Sequence, residues 1–296
     1  MKESRNTEFK QKVTANFLKT VSAFANYDGG DIFFGIDDNG KVTGVEKPEQ
    51  VKLDIENRIN DSIHPLPDYS LSVIDSGRVI KLTVFPGGHK PYLYKSKAYK
   101  RSDTATVETD SLEFRRLVLE GENKSFEELA AKDQKLKFTV LENYLKERLG
   151  IETVSFDVLK SLGLYKDGIG FLVAAELLSD ENHYPGMDIV RFGEDLSTIH
   201  SRKTFEKMSV LSEMEKASEM YEDYYTIESI SGVVRTRQEM IPKKAFRETV
   251  ANALVHRTWD VDAKITVFMF EDRIEVTSPG GLVSGISRDE FLRGGV

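Results

Sequence analysis

The chain has 296 residues, a hydrophobic fraction of 40% and no cysteine. It is long enough for two or three domains, and it cannot contain a disulfide framework or a cysteine-ligated zinc site. The net charge of −8 argues against a protein coated in nucleic acid, but residues 1–121 hold 18 basic and 18 acidic side chains and are neutral. A phosphate-binding surface is therefore expected in this first part, and it must be local.

The N-terminus has no apolar segment of the kind that a signal peptide requires. The best apolar run, 171–178, is far shorter than the roughly 20 residues of a membrane span. We therefore expect a soluble, cytoplasmic protein with no membrane partner.

The first part predicts an α+β domain with a mostly antiparallel sheet and flanking helices. Apolar residues at helical spacing predict a helix over 11–26, after the polar segment ESRNTEFK. The run 31–36 predicts a buried strand, and Asn39-Gly40 predicts a hairpin turn with a return strand at 41–45. Further elements are a helix from Pro48 to about Ile63, strands at 69–73, 79–85 and 98–101, and a helix at 112–120.

The remainder predicts a mixed helical and strand region, followed by a partial α/β region. Expected elements are helical segments at 126–149, 156–162, 208–225 and 243–256, and strands at 187–192, 263–270 and 273–277. We expect domains at 1–121, 122–240 and 241–296. The last is expected to be truncated, because the chain stops directly after a helical pattern.

Three acidic residues form the first candidate site. Glu3, Glu8 and Asp38, with Asp37 beside Asp38, could hold Mg²⁺ or Mn²⁺ for metal-assisted cleavage of a phosphodiester, and Lys10 could offset phosphate charge. The structural alternative is that an aspartate at a turn forms the turn and a glutamate near a helix start favours the helix dipole.

A basic and aromatic segment, 89–101, forms the second candidate site. Its cations neutralise phosphates and its tyrosines stack on unpaired bases. The structural alternative is an edge strand guarded by lysine. The candidate nucleic-acid-binding residues are Lys10, Lys90, Tyr94, Lys95, Lys97, Tyr99, Lys100 and Arg101.

Glu248 and Asn252 form the third candidate site. They are four residues apart and so share one face of the helix at 243–256. In a nucleotide site the glutamate polarises water and the asparagine carbonyl holds Mg²⁺. The structural alternative is an ordinary helix surface.

The residues of the first part resemble the Schlafen AlbA_2 domain of bacterial transcriptional regulators. The resemblance rests on ESRNTEFK, VSAFANYDGGDIFFGIDDNGKVTGV and KPYLYKSKAYKRSDTATVET, and it covers roughly residues 1–120. It implies a DNA-binding domain related to the nuclease core of animal Schlafen proteins. In those nucleases two glutamates and an aspartate form the cleavage site, which implies catalytic roles for Glu3, Glu8 and Asp38. It also implies a dimer, because this chain has one copy where the nucleases have a tandem pair.

The segments PKKAFRETVANALVHRTW and ITVFMFEDRIEVTSPGGLVSG resemble the C-terminal region of the same regulators, which is related to an ATP-dependent DNA helicase. This region is similar to a degenerate GHKL-type ATPase domain. The resemblance implies that Glu248 and Asn252 are the base and the magnesium-binding asparagine of an ATP site in the full-length protein.

The leading hypothesis is a DNA-binding transcriptional regulator, responsive to nucleotide, that does no chemistry on the DNA. One alternative is a metal-dependent endoribonuclease that uses Glu3, Glu8 and Asp38 on RNA. A second alternative is an ATP-binding switch module centred on Glu248 and Asn252.

Overall fold

The structure is a computed structural model that describes residues 2–76, 78–231 and 234–281. It divides into two compact units, Met1–Ser125 and Phe126–Val296. Of the expected boundaries, the one after 121 lies close to this division, and the one after 240 lies inside the second unit. No packing boundary occurs near 240 because Tyr221, Phe246 and Val267 belong to one buried cluster.

The first unit is a four-stranded sheet with helices and two small strand pairs. Its elements are β1 (Thr7–Lys10), α1 (Phe17–Asn26), β2 (Gly30–Phe34), α2 (Pro48–Ser62), β3 (Ile63–His64), β4 (Tyr69–Ile74), β5 (Val79–Val84), β6 (Leu93–Tyr94), β7 (Tyr99–Ser102), β8 (Ala105–Glu108) and α3 (Ser111–Gly121). The sheet order is β1-β2-β5-β4, while β3 pairs with β6 and β7 with β8. The β1–β2 pair is parallel and the other pairs are antiparallel, which confirms the expected mostly antiparallel α+β domain.

The polar lead-in differs from the expectation, because residues 7–10 form an edge strand and α1 begins at Phe17. The reason is Phe9, which is only 1% exposed and contacts Phe33 edge-on across the β1–β2 pair. A strand that buries one phenylalanine among polar residues shows little apolar alternation, so the sequence pattern does not predict it.

The expected hairpin at Asn39-Gly40 is a turn without a return strand. A bridge between Ile36 and Val42 and a few backbone hydrogen bonds join its two sides, but residues 41–45 form no strand. The Asp37 carboxylate accepts hydrogen bonds from the backbone N–H groups of Asn39 (3.0 Å) and Lys41 (2.9 Å). Both edges of β2 are taken by β1 and β5, so residues 41–45 cannot add to the sheet.

Helix α1 is the centre of the first unit. Phe17, Val21 and Phe24 lie on its buried face, as their spacing predicts. At its last residue the buried Asn26 side chain bonds twice to the backbone of Tyr92, accepting from N (2.7 Å) and donating to O (2.9 Å). These bonds fix the segment before β6 and β7 against the end of α1.

The second unit has helices packed on a second four-stranded sheet. After a short 3₁₀ turn at Phe126–Glu128 come α4 (Thr139–Leu149), α5 (Phe156–Ser161), β9 (Tyr165–Lys166), β10 (Gly170–Phe171), α6 (Val173–Leu178), β11 (Met187–Phe192), β12 (Ile199–Phe205), α7 (Val210–Tyr225), β13 (Thr226–Ser231), β14 (Val234–Glu239), α8 (Lys243–Val255), β15 (Ile265–Met269) and β16 (Ile274–Thr277). The sheet order is β12-β11-β15-β16. The strands predicted at 187–192, 263–270 and 273–277 and the helix predicted at 243–256 are confirmed.

In the part of the chain that the structure describes, no helix has the length and apolar character to cross a membrane.

Candidate nucleic-acid interface

A cleft of about 280 Å³ lies in the first unit where α1 ends and β2 begins. Three parts of the chain form it: the segment before β1, the turn after α1, and β7 with the start of α3. Its lining residues are Arg5, Asn6, Ala23, Phe24, Tyr27, Asp28, Gly29, Lys100, Arg101, Ser102 and Glu113.

Two glycines shape the turn at the base of the cleft. Gly29 has a φ of +72°, a left-handed conformation that other residues rarely adopt. A Cβ on Gly30 would lie 2.6 Å from the Phe24 ring and 2.7 Å from the carbonyl oxygen of Asn6. At this turn Gly30 lies so close to the Phe24 ring and the Asn6 backbone that a side chain does not fit there.

Arg101 closes one side of the cleft as a clamp. Its guanidinium is bonded to Glu8 on β1, and it donates to the Thr106 hydroxyl on β8 (2.8 Å) and to the carbonyl oxygens of Ser4 (3.1 Å) and Arg5 (3.3 Å). Arg101 is only 8% exposed. It therefore ties the N-terminal segment to the β7–β8 pair, and its donors are engaged within the protein.

The predicted acidic site is not a cluster of carboxylates. The buried Glu8 is bonded through one oxygen to Arg101 and through the other to the Lys10 ammonium (2.5 Å). Glu3 accepts a hydrogen bond from the backbone N–H of Phe9 (2.9 Å), and Asp38 is exposed on its turn. Within residues 2–76, 78–231 and 234–281, no three His, Cys, Asp or Glu side chains form a group that could hold a metal ion.

These residues do not fit a bound Mg²⁺ or Mn²⁺. A metal ligand needs a free carboxylate oxygen, and each oxygen of Glu8 already faces a cation. The turn is held by Asp37 instead of Asp38, which matches the turn-forming alternative for this pair. Glu3, Glu8 and Asp38 therefore supply no shared set of oxygen ligands in this conformation.

The lysines of the basic segment are mostly paired with carboxylates. The ammonium nitrogens of Lys90, Lys97 and Lys100 lie 2.6 Å, 2.7 Å and 2.5 Å from oxygens of Glu120, Glu108 and Glu113, respectively. This pairing explains how five cations can stand in thirteen residues of a neutral domain. It means that a phosphate must displace a carboxylate to reach these lysines.

Lys95 is the exception in this segment. It lies at the tip of the two-residue turn between β6 and β7, where Lys95 and Ser96 both have positive φ and Tyr94 and Lys97 exchange backbone hydrogen bonds. Its ammonium lies 5.4 Å from the centre of the Tyr94 ring, and it has no ion pair among the described residues.

Tyr94 and Tyr99 differ from their expected role as stacking platforms. They are 5% and 7% exposed and belong to the core cluster around α1. Alternation along β6 and β7 turns both rings inward, so neither offers an open face to a base.

Sequence reasoning missed Tyr27, Arg5 and Asp28, which line the cleft. The half-buried Tyr27 follows α1 directly, and burial, with the negative charges of Glu113 and Glu120, raises the pKa of its phenol to about 12. The Arg5 guanidinium lies 3.1 Å from the Asp28 carboxylate, and both side chains are more than half exposed. The sequence contained one signal for Tyr27 and Asp28, because they directly precede the two glycines of the turn.

Glu248 and Asn252 lie on the exposed face of α8, and neither side chain has a hydrogen bond or ion pair among the described residues. A cleft of about 360 Å³ beside this helix is lined by Pro242, Phe246, Thr249 and Arg273, among others, but by neither of the two. The Ser278 hydroxyl donates to Ala253 O (2.9 Å), so the segment that follows β16 packs on α8. The rest of the expected 241–296 region, after residue 281, lies outside the described residues.

The second unit buries one glutamate and one arginine side chain that keep unbonded polar atoms among the described residues. Glu213 on α7 and Arg257 after α8 are 2% and 3% exposed. Burial raises the pKa of Glu213 to about 8, although Arg257 opposes this. Arg257 donates to the carbonyl oxygens of Pro185 and Ala263 (2.6 Å each), while Glu213 Oε2 and Arg257 Nε have no hydrogen-bond partner among the described residues.

Two family models match the chain. Residues 3–126 match the model described as Schlafen, AlbA_2. Residues 262–295 match the model described as "Putative ATP-dependent DNA helicase recG C-terminal". The first match coincides with the unit that holds the cleft.

Matches among solved structures include the DIP2311 protein from Corynebacterium diphtheriae, with 18% identity and a TM-score of 0.48 over 97% of this chain and 63% of that one. The chain thus spans less than two thirds of that protein. Another is the N-terminal domain of a RecG-related protein from Nitrosomonas europaea, with 20% identity and a TM-score of 0.26 over 36% of this chain and 79% of that one. A comparison with curated proteins found no match.

Proposed function

We propose that this chain, which carries a Schlafen AlbA_2 domain over residues 3–126, binds DNA through the cations around the cleft of its first unit and acts in transcriptional control. The AlbA_2 match and the helicase-related match both support a role with nucleic acid. Binding in this proposal involves no bond-breaking step on the DNA.

The observation that carries the proposal is the pair of cations that line one cleft, Arg5 and Lys100. They come from distant parts of the sequence, and the Arg101 clamp holds those parts together through the carbonyl oxygens of Ser4 and Arg5. Two cations at one cleft can contact phosphates of one strand, which positions the protein on the DNA.

The partners of these cations can be exchanged. Arg5–Asp28 is an exposed ion pair, and such pairs contribute only about 0–1 kcal/mol. A DNA phosphate offers the same charge with more acceptor oxygens, and its binding releases counterions from the duplex. Exchange of a carboxylate for a phosphate is therefore favourable at low salt and weakens as salt rises.

Charge reversal tests the proposal. Arg5→Glu and Lys100→Glu should each weaken duplex binding and lower the slope of log affinity against log salt by about 1. Arg58→Glu on α2 is the matched control, because Arg58 is also a partly exposed cation paired with an aspartate, Asp54, and it does not line the cleft. Binding measured by anisotropy over a range of salt concentrations separates the cases.

A second comparison concerns the turn between β6 and β7. If Lys95→Glu weakens binding more than Arg5→Glu and Lys100→Glu do, the interface lies at that turn. If Arg5→Glu, Lys100→Glu and Lys95→Glu all bind DNA with the affinity and salt slope of the wild type, as the Arg58→Glu control should, the proposed interface is wrong.

The alternatives stay predictions, as does the dimer. The endoribonuclease hypothesis requires Glu8 to leave both of its cations. The ATP-dependent hypothesis requires groups around Glu248 and Asn252 that the described residues do not supply. For neither alternative do the described residues form an arrangement as suited to its function as the cations of the cleft are to DNA binding.

A further inference from the structure

We infer that the cleft of the first unit holds one unpaired nucleotide, with its base against Tyr27 and its phosphate between Arg5 and Lys100. This inference rests on the proposed function and deepens it, because it names the form of nucleic acid that the cleft selects. A fully paired duplex has no free base to place there.

The size of the cleft fits a single nucleotide. Its volume of about 280 Å³ lies just below the range of small-molecule pockets, which begins at roughly 300 Å³, so we expect it to take no more than one nucleotide. A stretch of several nucleotides needs an extended groove with several stacking residues. The cleft instead has one accessible aromatic side chain, because Phe24 is 1% exposed and Tyr27 is half-buried.

The two ion pairs at the cleft offer cations to the phosphate of a nucleotide and carboxylates to its base. When Arg5 and Lys100 turn from Asp28 and Glu113 to a phosphate, the two carboxylates become free to accept hydrogen bonds. Carboxylates accept from the exocyclic amino groups of bases, such as N4 of cytosine. The cleft therefore favours a base with an amino group over thymine.

The Tyr27 phenol remains neutral under these conditions. Burial raises its pKa to about 12, so at neutral pH the hydroxyl keeps its proton and can act as a hydrogen-bond donor. A neutral ring adds no charge that repels the phosphate, and an aromatic side chain that lines a cleft can stack on a base.

The test compares two DNA hairpins that differ only in one bulged cytosine. The full chain should bind the bulged hairpin about tenfold more tightly than the fully paired one, as expected for one stacked base. Tyr27→Leu should reduce this affinity ratio to about one, whereas Tyr27→Phe, which keeps the ring, should retain most of it. Replacing the bulged cytosine with thymine should lower the wild-type ratio.

A second measurement does not depend on a variant that must fold. With 5-iodocytosine at the bulge, irradiation of the wild-type complex should cross-link the base to the peptide that contains Tyr27. A cross-link only to other peptides overturns the inference.

Equal wild-type affinity for both hairpins, or a ratio that Tyr27→Leu leaves intact, overturns the inference and leaves DNA binding by the first unit in place. Binding to neither hairpin overturns the proposed function and this inference together.

Discussion

Two buried carboxylates, Glu8 in the first unit and Glu213 in the second, differ in how they are paired. In the first unit the cleft is surrounded by ion pairs, and the buried carboxylate there, Glu8, has a cation at each oxygen. In the second unit the buried Glu213 and Arg257 keep unbonded atoms, while the expected functional pair, Glu248 and Asn252, lies exposed on α8.

The difference lies in whether the charged residues have partners that hold the surrounding backbone in place. Fully paired buried charges hold the backbone segments of the cleft in place, so the paired cations at its rim can change partners without loss of the fold. In the second unit, the raised pKa of the buried Glu213 instead makes stability depend on pH. Glu248 and Asn252 lie on an exposed helix face, and neither side chain has an ion pair or hydrogen bond among the described residues.

The largest effect is expected at the clamp. Arg101→Ala leaves Glu8 buried with only Lys10 as its cation, and it frees the carbonyl oxygens of Ser4 and Arg5. Breaking a buried pair costs about 3–5 kcal/mol, and urea denaturation should show a loss of that size in the first unit. Arg58→Ala, at an exposed pair, should change stability by less than about 0.5 kcal/mol.

Glu8→Gln sharpens the same point. It keeps acceptor capacity towards Arg101 but removes the charge, so its loss of stability should be smaller than that of Arg101→Ala. Added Mn²⁺ should leave the thermal midpoint of the wild type unchanged. A rise with Mn²⁺ that Glu8→Gln removes would support the metal hypothesis instead.

The next effect is the pH dependence of the second unit. The Glu213 pKa is raised from 4.5 to about 8, so the unfolded chain loses this proton at lower pH than the folded one. The stabilising contribution is complete below pH 4.5 and is lost as pH rises towards 8.

Glu213→Gln removes this titration. Between pH 5 and pH 8 the wild type should lose a few kcal/mol of stability relative to the variant. Urea denaturation of both proteins at the two pH values gives the difference directly. Parallel pH profiles would mean that Glu213 is ionised in the folded protein at neutral pH.

A smaller effect is expected at the glycine turn. Gly30→Ala places a methyl group against the Phe24 ring and the carbonyl oxygen of Asn6, and crowding of this kind costs about 1–3 kcal/mol. Gly88→Ala, which meets no atom within 4 Å, is the control and should be nearly neutral. Equal stability of the two variants would mean that the turn relaxes freely.

The smallest effect is expected on α8. Glu248→Ala and Asn252→Ala should each change the stability by less than about 0.5 kcal/mol, as for exposed residues. Val250→Ala on the buried face of the same helix should cost about 2 kcal/mol. A large loss in Glu248→Ala would show that this residue has a partner in the folded protein.

Periodic patterns predicted most elements, because α1, α2 and α8 bury regular apolar stripes and β4 and β5 alternate. They failed at β1, where one phenylalanine carries the burial, and at 41–45, where β5 had already taken the edge of β2. Strand pairing is a long-range property that local patterns do not contain.

The candidate site was predictable in part. The sequence singled out both the segment with the two glycines and the basic segment, and both line the cleft, but no sequence pattern predicted that they meet there. The role of each residue was less predictable, because the alternation of β7 decides that Tyr99 is buried and Lys100 reaches the cleft. Arg5 and Tyr27 become candidates only when the fold brings them together.

Glu113 has two tasks that do not compete. One carboxylate oxygen pairs with Lys100, while the other accepts from the backbone N–H of Asp110, whose side chain in turn caps α3 (2.8 Å). When Lys100 turns to a ligand, Glu113 still holds the first turn of the helix. In the ligand-free cleft, Glu113 therefore holds the Lys100 ammonium in position, and this pairing does not weaken the first turn of α3.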